Sequence, residues 1–118
     1  MGGATDARAD PLGRWVVSVA ADSTVRLYEL ASARLLSMYR GLPLRGARLA
    51  LSPRSDLVAV TTSKHVLLHI GPDGTLREAA SLDREPEEQL FLHPDGRRFA
   101  LVDEQQRARL WDLDAVAE

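Results

Sequence analysis

The chain repeats itself at a step of 41 to 42 residues, and this period limits the folds open to it more than any other feature. Asp10-Pro11 precedes the run Arg14-Trp15-Val16-Val17-Ser18-Val19, Ser52-Pro53 precedes Leu57-Val58-Ala59-Val60-Thr61, and His93-Pro94 precedes Arg98-Phe99-Ala100-Leu101-Val102. A second set of landmarks, Leu27-Tyr28-Glu29-Leu30, Leu68-His69-Ile70-Gly71 and Leu110-Trp111-Asp112-Leu113, keeps the same step. The period is that of a four-stranded sheet repeated as one blade of a radial stack.

Within each repeat the residues read as strands and turns. Ala47 to Leu51 and Gln89 to Leu92 place leucines at every second position, the mark of a strand with one buried face. Proline ends this first strand, since it cannot donate to a ladder; Pro94-Asp95-Gly96 is a strong turn signal. The second strand is a nearly continuous apolar run, as expected of a strand covered on both faces. In the third, Val25 and Leu27 point one way and Arg26 and Tyr28 the other, and Ala108-Arg109-Leu110-Trp111 has the same alternation. A fourth strand is expected at Arg34 to Tyr39 and at Thr75 to Ser81, the latter after the Pro72-Asp73-Gly74 turn.

The expected architecture is therefore all-β: one domain over residues 1–118, with repeats at about 5–41, 42–82 and 83–118, each a blade of four antiparallel strands in a meander. The third repeat stops at Glu118, and Ala7 and Ala9 stand where Leu49 and Leu51 stand in the second. Propellers close with four to eight blades, so about three make an incomplete propeller.

Composition removes several alternatives. A 45% hydrophobic and 27% charged chain of 118 residues is an ordinary folded domain. The formal net charge of −2 lacks the basic excess of a nucleic-acid binder, and no apolar stretch reaches the roughly 18 to 20 residues of a spanning helix. A cytoplasmic protein with neither nucleic acid nor membrane as partner is expected. Of the 15 basic residues all but Lys64 are arginine, scattered along the chain as in a GC-rich, bacterial genome. Cysteine is absent, which excludes disulfides and thiolate chemistry.

From Asp10 to Leu113 the residues resemble the WD-repeat family of β-propellers. The resemblance is carried by the Ser-Pro and His-Pro-Asp-Gly turns at Ser52 and His93, by Ala21-Asp22-Ser23-Thr24-Val25-Arg26-Leu27-Tyr28, and by Trp111-Asp112, the dipeptide that names the family. It implies structural roles for Ser18, Asp22, Tyr28, Trp111 and Asp112. The family's Asp, His, Ser and Trp tetrad is incomplete in every repeat. Ser18 and Asp22 match in the first with Tyr28 for Trp; the second offers Ser63, Ala59 and His69, and the third Gln105, Leu101 and Trp111.

No catalytic set is visible. His65 and His69 have the spacing that chelates zinc on a helix, but on a strand they stand about 13 Å apart and cannot share an ion. No serine sits in a nucleophile elbow and no glycine-rich loop precedes a helix. The run Asp83-Arg84-Glu85-Pro86-Glu87-Glu88 reads as a solvated loop, and Trp15 and Trp111 as core residues. The expected function is a non-enzymatic protein-interaction scaffold, without cofactor or metal, that meets a protein partner or a second copy of itself to complete the propeller. Its contact residues, chosen by loop position, are Arg45, Lys64, His65, Arg84, Glu85 and Gln106. The alternative is a regulatory or sensor segment of a larger multidomain signalling enzyme.

Overall fold

The computed structural model describes residues 4–10, 12–20, 24–40, 48–52, 56–85, 87–93 and 97–113. The expected turns at Pro11, Pro53 and Pro94-Asp95-Gly96, together with Asp22 and Arg45, lie outside them. The first sheet is β1 (Ala4–Ala9), β2 (Trp15–Ala20), β3 (Val25–Glu29) and β4 (Arg34–Tyr39). The second is β5 (Arg48–Leu51), β6 (Leu57–Thr61), β7 (Lys64–Ile70) and β8 (Leu76–Asp83); the third is β9 (Gln89–Leu92), β10 (Arg98–Val102) and β11 (Ala108–Asp112). In each sheet consecutive strands pair antiparallel, so all three are meanders, as the repeat predicts.

One backbone hydrogen bond recurs at the first turn of every sheet: Asp10 N–H to the Trp15 carbonyl, Ser52 N–H to Leu57 and His93 N–H to Arg98, at 2.9, 2.9 and 2.8 Å. These bonds put the inner two strands in the register of the three prolines. The next hairpin differs. Trp15 faces Glu29 and Arg98 faces Asp112, but Leu57 faces His69, so the second hairpin is two residues shorter and closes tightly through Thr62 N–H to the Lys64 carbonyl at 2.8 Å. The position shared by Tyr28 and Trp111 is consequently held by Leu68, while the first-turn bonds put Val60 at the position of Ser18. This corrects the sequence alignment, which puts His69 and Ala59 there; side chains alternate along a strand, so a slip of one residue moves each to the opposite face.

Two apolar clusters bind the three sheets. Val17, Val19, Val25 and Leu27 of the first sheet meet Leu49, Val58, Val60, Val66 and Leu68 of the second. The opposite face of the second sheet, Leu57, Ala59, Leu67 and Ala80, meets Leu90, Phe99 and Leu101 of the third. The middle sheet is thus covered on both sides, which is why β6 and the centre of β7, Val66 to Leu68, are continuous apolar runs. In the outermost strands a β-bulge leaves Leu36 unpaired opposite Leu27 and Tyr28, and Leu36 then packs on Gly74, whose φ of +83° and lack of a Cβ the contact requires.

The alternation read from β3 and β11 is present, but the face that packs inward differs. Leu27 is buried against the second sheet, whereas in β11 it is Trp111 that faces the core and Leu110 that points away. The reason is positional: the first and third sheets have their neighbour on opposite sides. Leu27, Leu67 and Leu110 occupy one position in three sheets, and they are 0%, 0% and 84% exposed. In the monomeric chain, replacing Leu67 by Ala is expected to cost about 2–5 kcal/mol in urea unfolding, and Leu110→Ala to stay within about 0.5 kcal/mol, as burial and not residue type sets the loss.

Candidate functional site

The second and third sheets are joined at one end by a buried polar cluster. β7 begins at Lys64, and its second residue, His65, projects toward the third sheet from the position that valine (Val25) fills in the first. The His65 ring is fully buried, with Nδ1 3.1 Å from the Thr61 hydroxyl and Nε2 3.0 Å from Glu88 Oε1. Glu88 is equally buried, although it ends the acidic run that the sequence presents as a solvated loop. Glu87, at φ 61°, turns the chain just before it, and Glu88 N–H donates to the Glu85 carbonyl at 3.1 Å. The second carboxylate oxygen accepts from Arg109 Nη2 of β11 at 2.8 Å, and Oε1 also accepts from Glu85 N–H at 3.3 Å. Arg84 closes the cluster, donating from Nε to the Glu88 carbonyl and from Nη1 to the Thr62 carbonyl at 2.9 and 3.0 Å.

These contacts define the protonation states. Burial disfavours the imidazolium, and in the neutral ring the charged Glu88 carboxylate takes Nε2–H, which leaves Nδ1 to accept from the Thr61 hydroxyl. Burial pushes His65 below its usual value, and the neighbouring carboxylate offsets only part of this. Burial alone would raise Glu88, but hydrogen bonds from Arg109 and His65 outweigh it and hold the carboxyl below its usual range. A buried charge is tolerated because both carboxylate oxygens are hydrogen-bonded, Oε1 to His65 and Glu85 and Oε2 to the Arg109 guanidinium.

The contact residues expected from loop position divide into two places. Lys64, His65, Arg84 and Glu85 gather around this cluster, while Gln106 lies in the last hairpin turn at φ 66°, its N–H on the Asp103 carbonyl. His65 is not a surface residue but the centre of the cluster, and Arg84 is half-buried and spent on carbonyls. Lys64 is 3.9 Å from an exposed Asp83, a pair that contributes little. Of the structural positions, Trp111 stacks on Phe99 with ring centres 6.4 Å apart, and Asp112 faces Arg98 across the ladder. Ser18 and Tyr28 lie half-buried on the outer face of the first sheet. The residues that sequence reasoning missed are Thr61, Glu88 and Arg109. Their partners are 4, 23 and 21 residues away, and no local spacing marks the two long links.

The inner edges form a second feature. β1 lies beside β5, and β5 beside β9. At the first of these seams Asp6 Oδ2 accepts Leu49 N–H at 2.9 Å and Arg8 Nε donates to the Leu49 carbonyl at 3.3 Å, with Asp6 and Arg8 paired at 3.6 Å. A side-chain pair thus occupies the open edge of β5. At the second seam there is a groove of about 480 Å³, with Arg48, Thr61, Arg84, Glu87 and Leu90 in its walls. Among the described residues no three His, Asp or Glu side chains are arranged to hold a metal, and no helix is long and apolar enough to cross a membrane.

The sign of the pH response follows from the cluster. The folded value of His65 lies below that of the unfolded chain, so as pH falls through about 6.5 the unfolded chain takes up a proton that the folded one refuses, and stability drops. Glu88 adds to the loss at lower pH, when its carboxylate is finally protonated. Urea unfolding is expected to weaken from pH 7 toward pH 5 by at most about 1.4 kcal/mol per pH unit for the one histidine proton. His65→Gln, which keeps a donor for Glu88 and does not titrate, should flatten the upper part of that decline.

Neither a protein-family model nor a curated protein matches the chain. Among solved structures it is similar to the β-propeller domain of Cps50 (Swd1) from Myceliophteria thermophila, with a TM-score of 0.74 and 20% identity, over 92% of this chain and 35% of that one. The chain spans about a third of that neighbour's length. At this identity the likeness carries the fold alone. Three stacked antiparallel meanders, aligned over nearly their whole length with part of a propeller, are a partial β-propeller.

Proposed function

We propose that the chain is a non-catalytic protein-interaction scaffold of WD-repeat type, a partial propeller that engages partners through its loops and the uncovered faces of its end sheets. The observation that carries this reading is Leu110. At the position where Leu27 and Leu67 are sealed by the next sheet, Leu110 stands 84% exposed, and Phe91, on the same face, 52%. An aromatic and a leucine on one sheet face, flanking Ala100 on the two outer strands, bury well only against another sheet. The first sheet presents the complementary outer face through Val16, Tyr28 and Leu35. A partner that completes the stack, whether a second copy or another propeller segment, covers these faces as the middle sheet covers theirs.

The absence of catalysis in this reading rests on the polar cluster. Within this cluster the His65 imidazole is bonded to Thr61 and Glu88 and the Glu88 carboxylate to His65 and Arg109, so neither of these groups serves as a free base. The test uses the particle mass and charge reversal on the exposed face. The wild-type chain is expected to sediment above 13.0 kDa, alone or with a co-purified partner, and the Phe91→Arg/Leu110→Arg variant to sediment as a folded monomer. A wild-type chain that stays monomeric at high micromolar concentration, and whose native-host partners are all retained by the variant, would refute the proposal.

A further inference from the structure

The two inner seams present the same backbone groups and treat them differently. The recurrent turn bonds place Asp6, Arg48 and Gln89 at one position of β1, β5 and β9, and Ala7, Leu49 and Leu90 at the next. Leu101 shares the hydrogen-bonding phase of Asp103 and Arg107, and so exchanges its backbone bonds with Arg109 of β11. Its neighbour on the other side, Leu90, therefore directs its N–H and carbonyl away from β10 and into the groove, as Leu49 does at the first seam. The first seam supplies Asp6 and Arg8 to meet these groups. The second supplies Arg48 and Ala50, and no described residue takes the Leu90 N–H.

Arg48 is an exposed cation in that wall without a carboxylate or hydrogen-bond partner among the described residues. The other charges of the groove are largely committed. Arg8 is held by Asp6, Arg84 donates to two carbonyls, and Glu88 is bound by His65 and Arg109; Glu87 alone opposes. An N–H and a guanidinium in the walls of one groove, neither with a partner among the described residues, are a donor set for one carboxylate, and the Asp6 contact with Leu49 shows the same acceptor chemistry at the equivalent edge.

We infer that the groove between β5 and β9 binds the carboxylate side chain of an acidic, extended peptide, which accepts from Leu90 N–H and from Arg48. The inference rests on the reading of the chain as an interaction scaffold and names the chemistry of one partner. The probe is the capped tripeptide acetyl-Ala-Asp-Ala-amide, with its Asp→Asn counterpart as control, titrated into the 15N-labelled chain. The Leu90 amide is expected to shift saturably with the Asp peptide, and to bind the Asn peptide at least about tenfold more weakly. Arg48→Gln should weaken the Asp peptide to the same degree, while the Leu49 amide, already held by Asp6, keeps its position and reports an intact fold. A Leu90 amide that does not move, or that responds equally to the Asn peptide or in Arg48→Gln, overturns the inference. A native partner lost by Leu110→Arg but retained by Arg48→Gln would overturn it too, and leave the scaffold reading standing.

Discussion

Everything in this molecule depends on sheets covering one another. A four-stranded meander of about 40 residues has two faces and too little internal contact to seal either, so its apolar residues leave water only when another sheet lies against them. The middle sheet alone has both faces sealed. Leu57, Ala59 and Leu67 are buried on one side, and Val58, Val60 and Leu68 on the other. At roughly 25 cal/mol per Å² of apolar surface, these two seams supply the dominant favourable contribution to folding. The end sheets make use of one face each, and their outer faces carry the residues that an adjoining sheet would bury.

The two seams are chemically unlike, although they join equivalent surfaces. At the first, Val25 and Val19 fill the space near the hairpin end, and a side-chain pair, Asp6 and Arg8, closes the inner edge. At the second, His65 and Thr61 stand in the places of Val25 and Val19 and recruit Glu88 and Arg109. The inner edge there has Arg48 in place of Asp6 and stays open. A buried ion pair of this kind adds less net stability than apolar packing of the same volume, because desolvation offsets most of the attraction. Its effect is to make the second seam intolerant of displacement, since moving the sheets apart would leave Glu88 charged and unpaired. Polar specificity and ligand access therefore fall on the same side of the molecule.

Much of the architecture was legible in the chain. Most strand positions read from alternation and turn residues agree with the structure within one or two residues, because period-2 patterning and proline act locally; the exception is β7, which already begins at Lys64, so that Lys64 and His65, read as loop residues, lie in a strand. The alignment of repeats was legible only where the turns were alike. The 42-residue step between the first turns puts Val60, not Ala59, at the Ser18 position, and the shortened hairpin closed by Thr62 and Lys64 puts Leu68, not His69, at the Tyr28 position; the two shifts are opposite in sign, so a mean period of 41 hides both. The candidate site was less legible still. Glu88 belongs by composition to a solvated acidic run, and only the turn at Glu87 and the approach of the third sheet put it inside.

The sequence by itself determined that the chain forms antiparallel meanders in three repeats, that no cysteine chemistry is available, and where most of the strands lie. These are consequences of local steric preference and of the two-residue period of a strand. The tertiary structure alone decided which face of each strand is inside. Leu27, Leu67 and Leu110 are the same residue at the same position of the same local structure, yet two are sealed and one stands in water. Burial is a property of neighbours, and a repeat cannot record in its own residues whether another sheet lies beyond it.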